Sequence, residues 1–292
     1  MLKNLAPDIL QLGKRQIVRR PHGRYAVWSR GRGPLVILLH GWPVSSYHWR
    51  FLVPALDSAG FECVSIDLKG LGESVTNDFR FEKEVLAREL LEIVSGIRPK
   101  TKRFAVIGHD WGGSIAIAMA ALAPGRVSHL IIEDEIPPGI PAPLRGKSLN
   151  HYSTWHGGFH RVPGLPEKLI HGRENHYLNY FLDLRFNRKS LNKRDRKLYL
   201  DCYRSSKKTG TTLAYYRSFQ EDSRFFGALM KQKIEIPVLA LWGKYGMGPA
   251  VGDSLDQICS RATGIEMNKS GHYPAEEEPK KFQAAVLRYL RS

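Results

Sequence analysis

Short apolar runs without alternation constrain this chain most. Leu35-Val36-Ile37-Leu38-Leu39, Cys63-Val64-Ser65-Ile66, Phe104-Ala105-Val106-Ile107, Leu130-Ile131-Ile132 and Val238-Leu239-Ala240-Leu241 are each too short for a helix of ordinary length. A strand with two buried faces reads this way, and such strands belong to parallel sheets covered on both sides. The segments between the runs are helical in pattern. Residues 81–97 place Val85, Leu86, Leu90, Leu91 and Val94 on one face. Ser114 to Leu122 is almost wholly small or apolar and stops before Pro124-Gly125. Phe282, Val286 and Leu290 recur every four residues near the C-terminus. Strands alternating with helices imply an α/β fold with a mostly parallel, doubly wound sheet. Gln16–Arg20 and Arg24–Trp28, flanking Pro21-His22-Gly23, read as a hairpin at its start.

The alternation fails between about Pro137 and Phe226, a stretch rich in aromatic and basic residues, and resumes at Ile234. The expected organisation is a core of residues 1–136 and 230–292 with a helical lid of residues 137–229 inserted in it. With 42% apolar and 25% charged residues, 292 residues suffice for one such core.

The formal net charge of +16 raises the question of a polyanionic partner. Arg188, Lys189, Lys193, Arg194, Arg196, Lys197, Lys207 and Lys208 cluster, but without regularly interleaved aromatics or a nucleic-acid motif. The expectation is a solvated cationic face and no nucleic-acid partner. Cys63, Cys202 and Cys259 are far apart, without metal-ligand spacing, and odd in number. Residues 1–8 lack a signal-peptide apolar core, and no apolar run is long enough to span a bilayer. A cytoplasmic protein with no membrane, metal or organic cofactor requirement is expected, its oligomeric state open between monomer and homodimer.

The chemistry is carried by Gly108-His109-Asp110-Trp111-Gly112-Gly113, which follows the Phe104–Ile107 run. Glycines on either side of one central residue, between a strand and a helix, have the form of a nucleophile elbow. Here the central residue is aspartate where esterases carry serine. The helix N-terminus favours an anion there, so Asp110 is expected ionised. A carboxylate nucleophile attacks saturated carbon and leaves an alkyl ester on the enzyme, which water must then hydrolyse with the help of a general base and an oxyanion hole. His40-Gly41-Trp42-Pro43 follows the Leu35–Leu39 run and places the Trp42 amide opposite that of Trp111 as the oxyanion hole. His272, in Ser270-Gly271-His272-Tyr273-Pro274 between a short strand candidate (Ile265–Met267) and the last helix, is the base, expected neutral at physiological pH. The group that orients it is Asp134 in Glu133-Asp134-Glu135, with Glu133 and Glu135 as competitors.

Together these motifs resemble the epoxide hydrolase and haloalkane dehalogenase branch of the α/β-hydrolases, from about Val18 onward. The resemblance extends to Asp67-Leu68-Lys69-Gly70-Leu71-Gly72-Glu73-Ser74 and, counted from Arg126-Val127, puts the family's acid on Asp134. Haloacetate dehalogenases carry arginines where this chain has Trp111 and Ser114. Haloalkane dehalogenases pair the tryptophan after the nucleophile with an asparagine whose place is Trp42 here, so half of that halide clamp is absent. The lid is similar to that of bacterial epoxide hydrolases with a His–Tyr pair, through Trp155-His156, Phe159, Leu165-Pro166-Glu167-Lys168-Leu169-Ile170, Gly172-Arg173-Glu174, Tyr215-Tyr216-Arg217 and Gly246-Met247-Gly248. The resemblance implies that His156 and Tyr216 hold the oxygen of a small hydrophobic epoxide, with His160 and Tyr215 as alternatives. Gly157-Gly158 stands where bulkier residues are usual. Haloalkane dehalogenase is the second reading, and a ligand-binding protein on a hydrolase scaffold the third.

Overall fold

The computed structural model describes residues 11–203 and 206–292. The segment 1–8 and the side chain of Lys207 lie outside what it describes. Eight strands form one sheet: β1 (Lys14–Arg20), β2 (Gly23–Arg30), β3 (Leu35–Leu39), β4 (Glu62–Ile66), β5 (Phe104–His109), β6 (Val127–Glu133), β7 (Val238–Gly243) and β8 (Ala262–Met267). Their order is β1-β2-β4-β3-β5-β6-β7-β8. β1 and β2 form the expected antiparallel hairpin, β2 meets β4 antiparallel, and all later pairs are parallel.

The apolar runs read correctly as strands buried on both faces. β3 sends Leu35, Ile37 and Leu39 into one apolar layer and Val36 and Leu38 into the other. Helices Lys83–Ile97 and Trp111–Leu122 cover the first layer; helices Leu52–Ser58 and Pro279–Leu290 cover the second. Burying each large aliphatic side chain contributes about 1.5–3 kcal/mol, so this double burial fixes the register of the central strands. The helix 83–97 differs from its sequence pattern. Val85 and Leu91 are only half-buried, whereas Lys83 and Glu89 are inside. Glu89 accepts hydrogen bonds from the Tyr25 hydroxyl and Lys69 Nζ, both at 2.8 Å, and paired charges of this kind tolerate burial.

Between β6 and β7 the alternation gives way to helices Lys147–His151, Trp155–Arg161, Leu165–Ile170, Glu174–Leu182, Lys193–Asp201, Ser206–Arg217 and Phe219–Leu229. Lys83 clasps this insertion to the sheet-covering helices. Its Nζ lies 2.9 Å from Asp222 Oδ2 and 3.0 Å from Ser218 Oγ, and 4.1 Å above the Trp111 ring. In the basic stretch, Arg196 pairs with Asp183 and Lys197 with Asp201. Among the described residues no helix is long and apolar enough to cross a membrane.

Candidate active site

Asp110 sits between the end of β5 and the helix Trp111–Leu122, with φ 48° and ψ −131°. Its flanking glycines are required by contact. A Cβ on Gly108 would lie 2.2 Å from the Gly112 carbonyl oxygen, and one on Gly112 would lie 2.3 Å from that of His40. The turn therefore drives the carboxylate out over the sheet edge. Asp110 Oδ1 accepts a hydrogen bond from the Trp42 amide at 2.8 Å. Trp111 opens the helix, whose first N–H groups have no intrahelical acceptor.

His272 and Asp134 converge on the same point. His272 Nδ1–H donates to Asp134 Oδ2 at 2.8 Å, and Nε2 lies 3.4 Å from Asp110 Oδ2. Asp134 follows β6 directly and is also at positive φ, 46°. Its carboxylate accepts the Gly243 amide at 3.0 Å and the Met247 amide at 3.0 Å, so its orientation is fixed on two sides. The His272 main chain is held too. Its N–H donates to the Leu184 carbonyl at 2.8 Å, and its carbonyl accepts from His109 Nε2 at 2.9 Å.

The charge state of His272 differs from the sequence expectation. Burial opposes a charge on it, but hydrogen bonds to Asp110 and Asp134, and the charges of those groups, outweigh burial and raise its pKa to about 10. The resting imidazole is therefore protonated at neutral pH. The sequence could not show that two carboxylates flank both ring nitrogens.

Neither competing acid is hydrogen-bonded to His272. Glu133 accepts from His48 Nε2 at 2.8 Å and from the Ala275 amide at 2.7 Å. Glu135 is hydrogen-bonded by the Ser114 hydroxyl.

A cavity of about 290 Å³ opens over Asp110. His156 and Tyr216 both reach its wall, with their rings 5.7 Å apart and Tyr216 edge-on to Trp111 at 4.9 Å. Burial pushes the His156 pKa down to about 4, against the pull of Asp110, so its ring is neutral. Burial, then the charge of Asp110, holds the Tyr216 hydroxyl well above its ordinary value. The alternatives point away: Tyr215 donates to the Lys69 carbonyl at 2.8 Å, and His160 Nε2 is hydrogen-bonded to the Tyr177 hydroxyl. Gly157 and Gly158 form part of the wall, and a Cβ on either would meet open space.

Comparison with known proteins decides the family. A model of the alpha/beta hydrolase fold matches residues 34–279. A soluble epoxide hydrolase of Corynebacterium sp. (strain C12) is 31% identical over 271 residues, covering 90% of this chain and 92% of that protein. The chain belongs to the α/β-hydrolases, in their epoxide hydrolase branch. Among solved structures, this hydrolase resembles Cfl2 from Burkholderia cenocepacia (TM-score 0.86, 30% identity, 94% of this chain and 95% of that one). It also resembles the epoxide hydrolase CorEH (TM-score 0.86, 28% identity, 95% and 98%).

One part of the hydrolase's site has no local sequence signal. Behind His272 lies a buried network in which His48 bridges Glu133 and Glu276 through its two ring nitrogens at 2.8 and 2.9 Å. Arg50 and Arg185 both bond Glu276, at 3.0 and 3.1 Å. Burial disfavours the Glu276 charge, but the two guanidiniums keep its pKa well below the usual carboxylate range. Ligand atoms of His48, His109 and Glu133 lie within 4.8 Å of one another. A metal does not fit there. The pKa of His48 is raised, its burial outweighed by Glu133 and Glu276, and a protonated imidazole has no lone pair to give.

Proposed function

We propose that the protein hydrolyses epoxides to vicinal diols through an ester on Asp110. The observation that carries this reading is a carboxylate, not a hydroxyl, at the nucleophile elbow, in a cavity whose opposite wall offers His156 and Tyr216. The core is residues 1–136 and 230–292, and the lid residues 137–229.

In the first step an Asp110 oxygen bonds to a ring carbon and the carbon–oxygen bond breaks. The electron pair goes to the epoxide oxygen, which takes a hydrogen bond from neutral His156 and the Tyr216 proton. Esterification removes the Asp110 charge. His272 then keeps one anionic partner, its pKa falls, and its proton returns to the Tyr216 oxygen. Neutral His272, oriented by Asp134, next takes a proton from water. The hydroxide adds to the ester carbon, and the Trp42 and Trp111 amides hold the oxyanion. Collapse transfers the remaining proton to the departing diol and restores the Asp110 carboxylate beside protonated His272.

A haloalkane dehalogenase would use the same triad but needs a second halide donor. The Trp42 indole N–H is engaged with Thr212 Oγ1 at 3.2 Å, which favours the epoxide. The test is the intact mass of a His272→Gln variant exposed separately to an aryl epoxide and a bromoalkane. A gain of the whole epoxide, mapped to Asp110, is expected. An adduct from the bromoalkane alone would replace this reading with dehalogenation, and no adduct from either would remove the ester mechanism.

A further inference from the structure

Glu135 is the buried acid of the site that the reaction above does not use. It follows Asp134 at the end of β6 and lines the catalytic cavity beside Asp110. Its stem rests against the first turn of the nucleophile helix, where a Cβ on Gly113 would come within 2.9 Å of the Glu135 Cβ. Oε1 is taken by the Ser114 hydroxyl, while Oε2 has no protein partner among the described residues, and the residue forms part of the cavity lining.

We propose that Glu135 presents a carboxylic acid O–H to the cavity as a hydrogen-bond donor, and that the preferred substrate is an epoxide with an acceptor oxygen beside the ring, as in a glycidyl ether. The inference rests on the epoxide hydrolase reading. A charged carboxylate disfavours ionisation of a second carboxyl buried beside it. Burial first, and the charge of Asp110 second, raise the pKa of Glu135 well above the usual range, with Ser114, His272 and Lys83 pulling less strongly the other way. A protonated carboxyl is a donor, and an ionised one only an acceptor. His156 and Tyr216 serve the ring oxygen, so the Glu135 proton addresses a different atom. The neighbouring walls, Ile136, Pro138, Phe219 and Met247, take hydrocarbon. A substituent that suits both is apolar with one oxygen near the ring.

The test compares kcat/KM for butyl glycidyl ether and 1,2-epoxyoctane, which have chains of equal length with oxygen in place of one methylene. The ratio is measured in the wild type, Glu135→Gln, Glu135→Leu and Glu135→Met. Dividing each variant's ratio by the wild-type ratio cancels the intrinsic reactivity of the two epoxides. The amide of Glu135→Gln still donates and keeps the preference. Either apolar variant that folds, judged by its melting curve, lowers the ratio about fivefold, the contribution of one neutral hydrogen bond. An unchanged ratio in a folded apolar variant, or equal slowing of both substrates, overturns the inference and leaves epoxide hydrolysis standing. Turnover of neither substrate by the wild type overturns both.

Discussion

Replacing Asp134 by asparagine isolates the role of the orienting acid. The carboxylate has three donors around it: His272 Nδ1–H on Oδ2, the Gly243 amide on Oδ1, and the Met247 amide shared between Oδ2 at 3.0 Å and Oδ1 at 3.3 Å. An asparagine must turn its NH₂ toward one of these. Toward Gly243 it would face an N–H with no other acceptor. Toward His272 it meets a ring nitrogen that can give up its proton, and the Met247 amide can move to the remaining oxygen. The second orientation prevails, so Nδ1 becomes an acceptor and the proton resides on Nε2. His272 then cannot take a proton from water at the atom facing Asp110. The same inverted tautomer in a Ser-His-Asp triad costs on the order of 10⁴ in kcat, and a loss of that order is expected here. Ester formation does not need a basic His272, so the adduct should accumulate, visible by intact mass after rapid quenching. In parallel, the His272 pKa followed by NMR should fall from its wild-type position near 10. Turnover within tenfold of the wild type, with no trapped ester, would refute the assignment of Asp134.

Other expectations follow from the same geometry. Gly246→Ala places a Cβ 2.4 Å from Asp134 Oδ2; the acid must shift by about an ångström, and kcat should fall by roughly 10², with KM falling alongside it as the ester accumulates. Lys83→Met strands the buried Asp222, and chemical denaturation should show a loss of about 3–5 kcal/mol. The raised pKa of His272 stabilises the fold fully below its unfolded value of about 6.5, and that contribution is lost as the pH rises through about 10. The melting temperature should decline over this window, and less steeply in Asp110→Asn, where one of the two charged partners is gone.

The sheet was legible because burial on both faces leaves an unbroken apolar run, as Leu35–Leu39 illustrates. The elbow was legible because a turn this tight admits only glycine at Gly108 and Gly112. The choice among Glu133, Asp134 and Glu135 was not fixed by the residues alone. Successive side chains at a strand end point to different sides, and which one meets His272 depends on where β6 stops. The inner faces of the helix 83–97 were misjudged for a related reason. Apolar periodicity finds where hydrocarbon is buried, but Lys83 and Glu89 are buried by partners at Asp222, Tyr25 and Lys69. The His48 network is assembled from residues up to 228 positions apart, and no window of sequence contains it.

Asp110 and Asp134 are the two non-glycine residues at positive φ among the described residues. Backbone of this kind costs on the order of 1–3 kcal/mol at each position, and the surrounding fold bears it. Selection for heat resistance and selection for turnover therefore pull in opposite directions at the nucleophile. A glycine at position 110 would relax the turn and end the repulsion toward Glu135, but it would also take one charged partner from His272 and leave no chemistry. A library of this enzyme screened only for survival at high temperature would exert no pressure to keep the carboxylate that this strained turn holds in place.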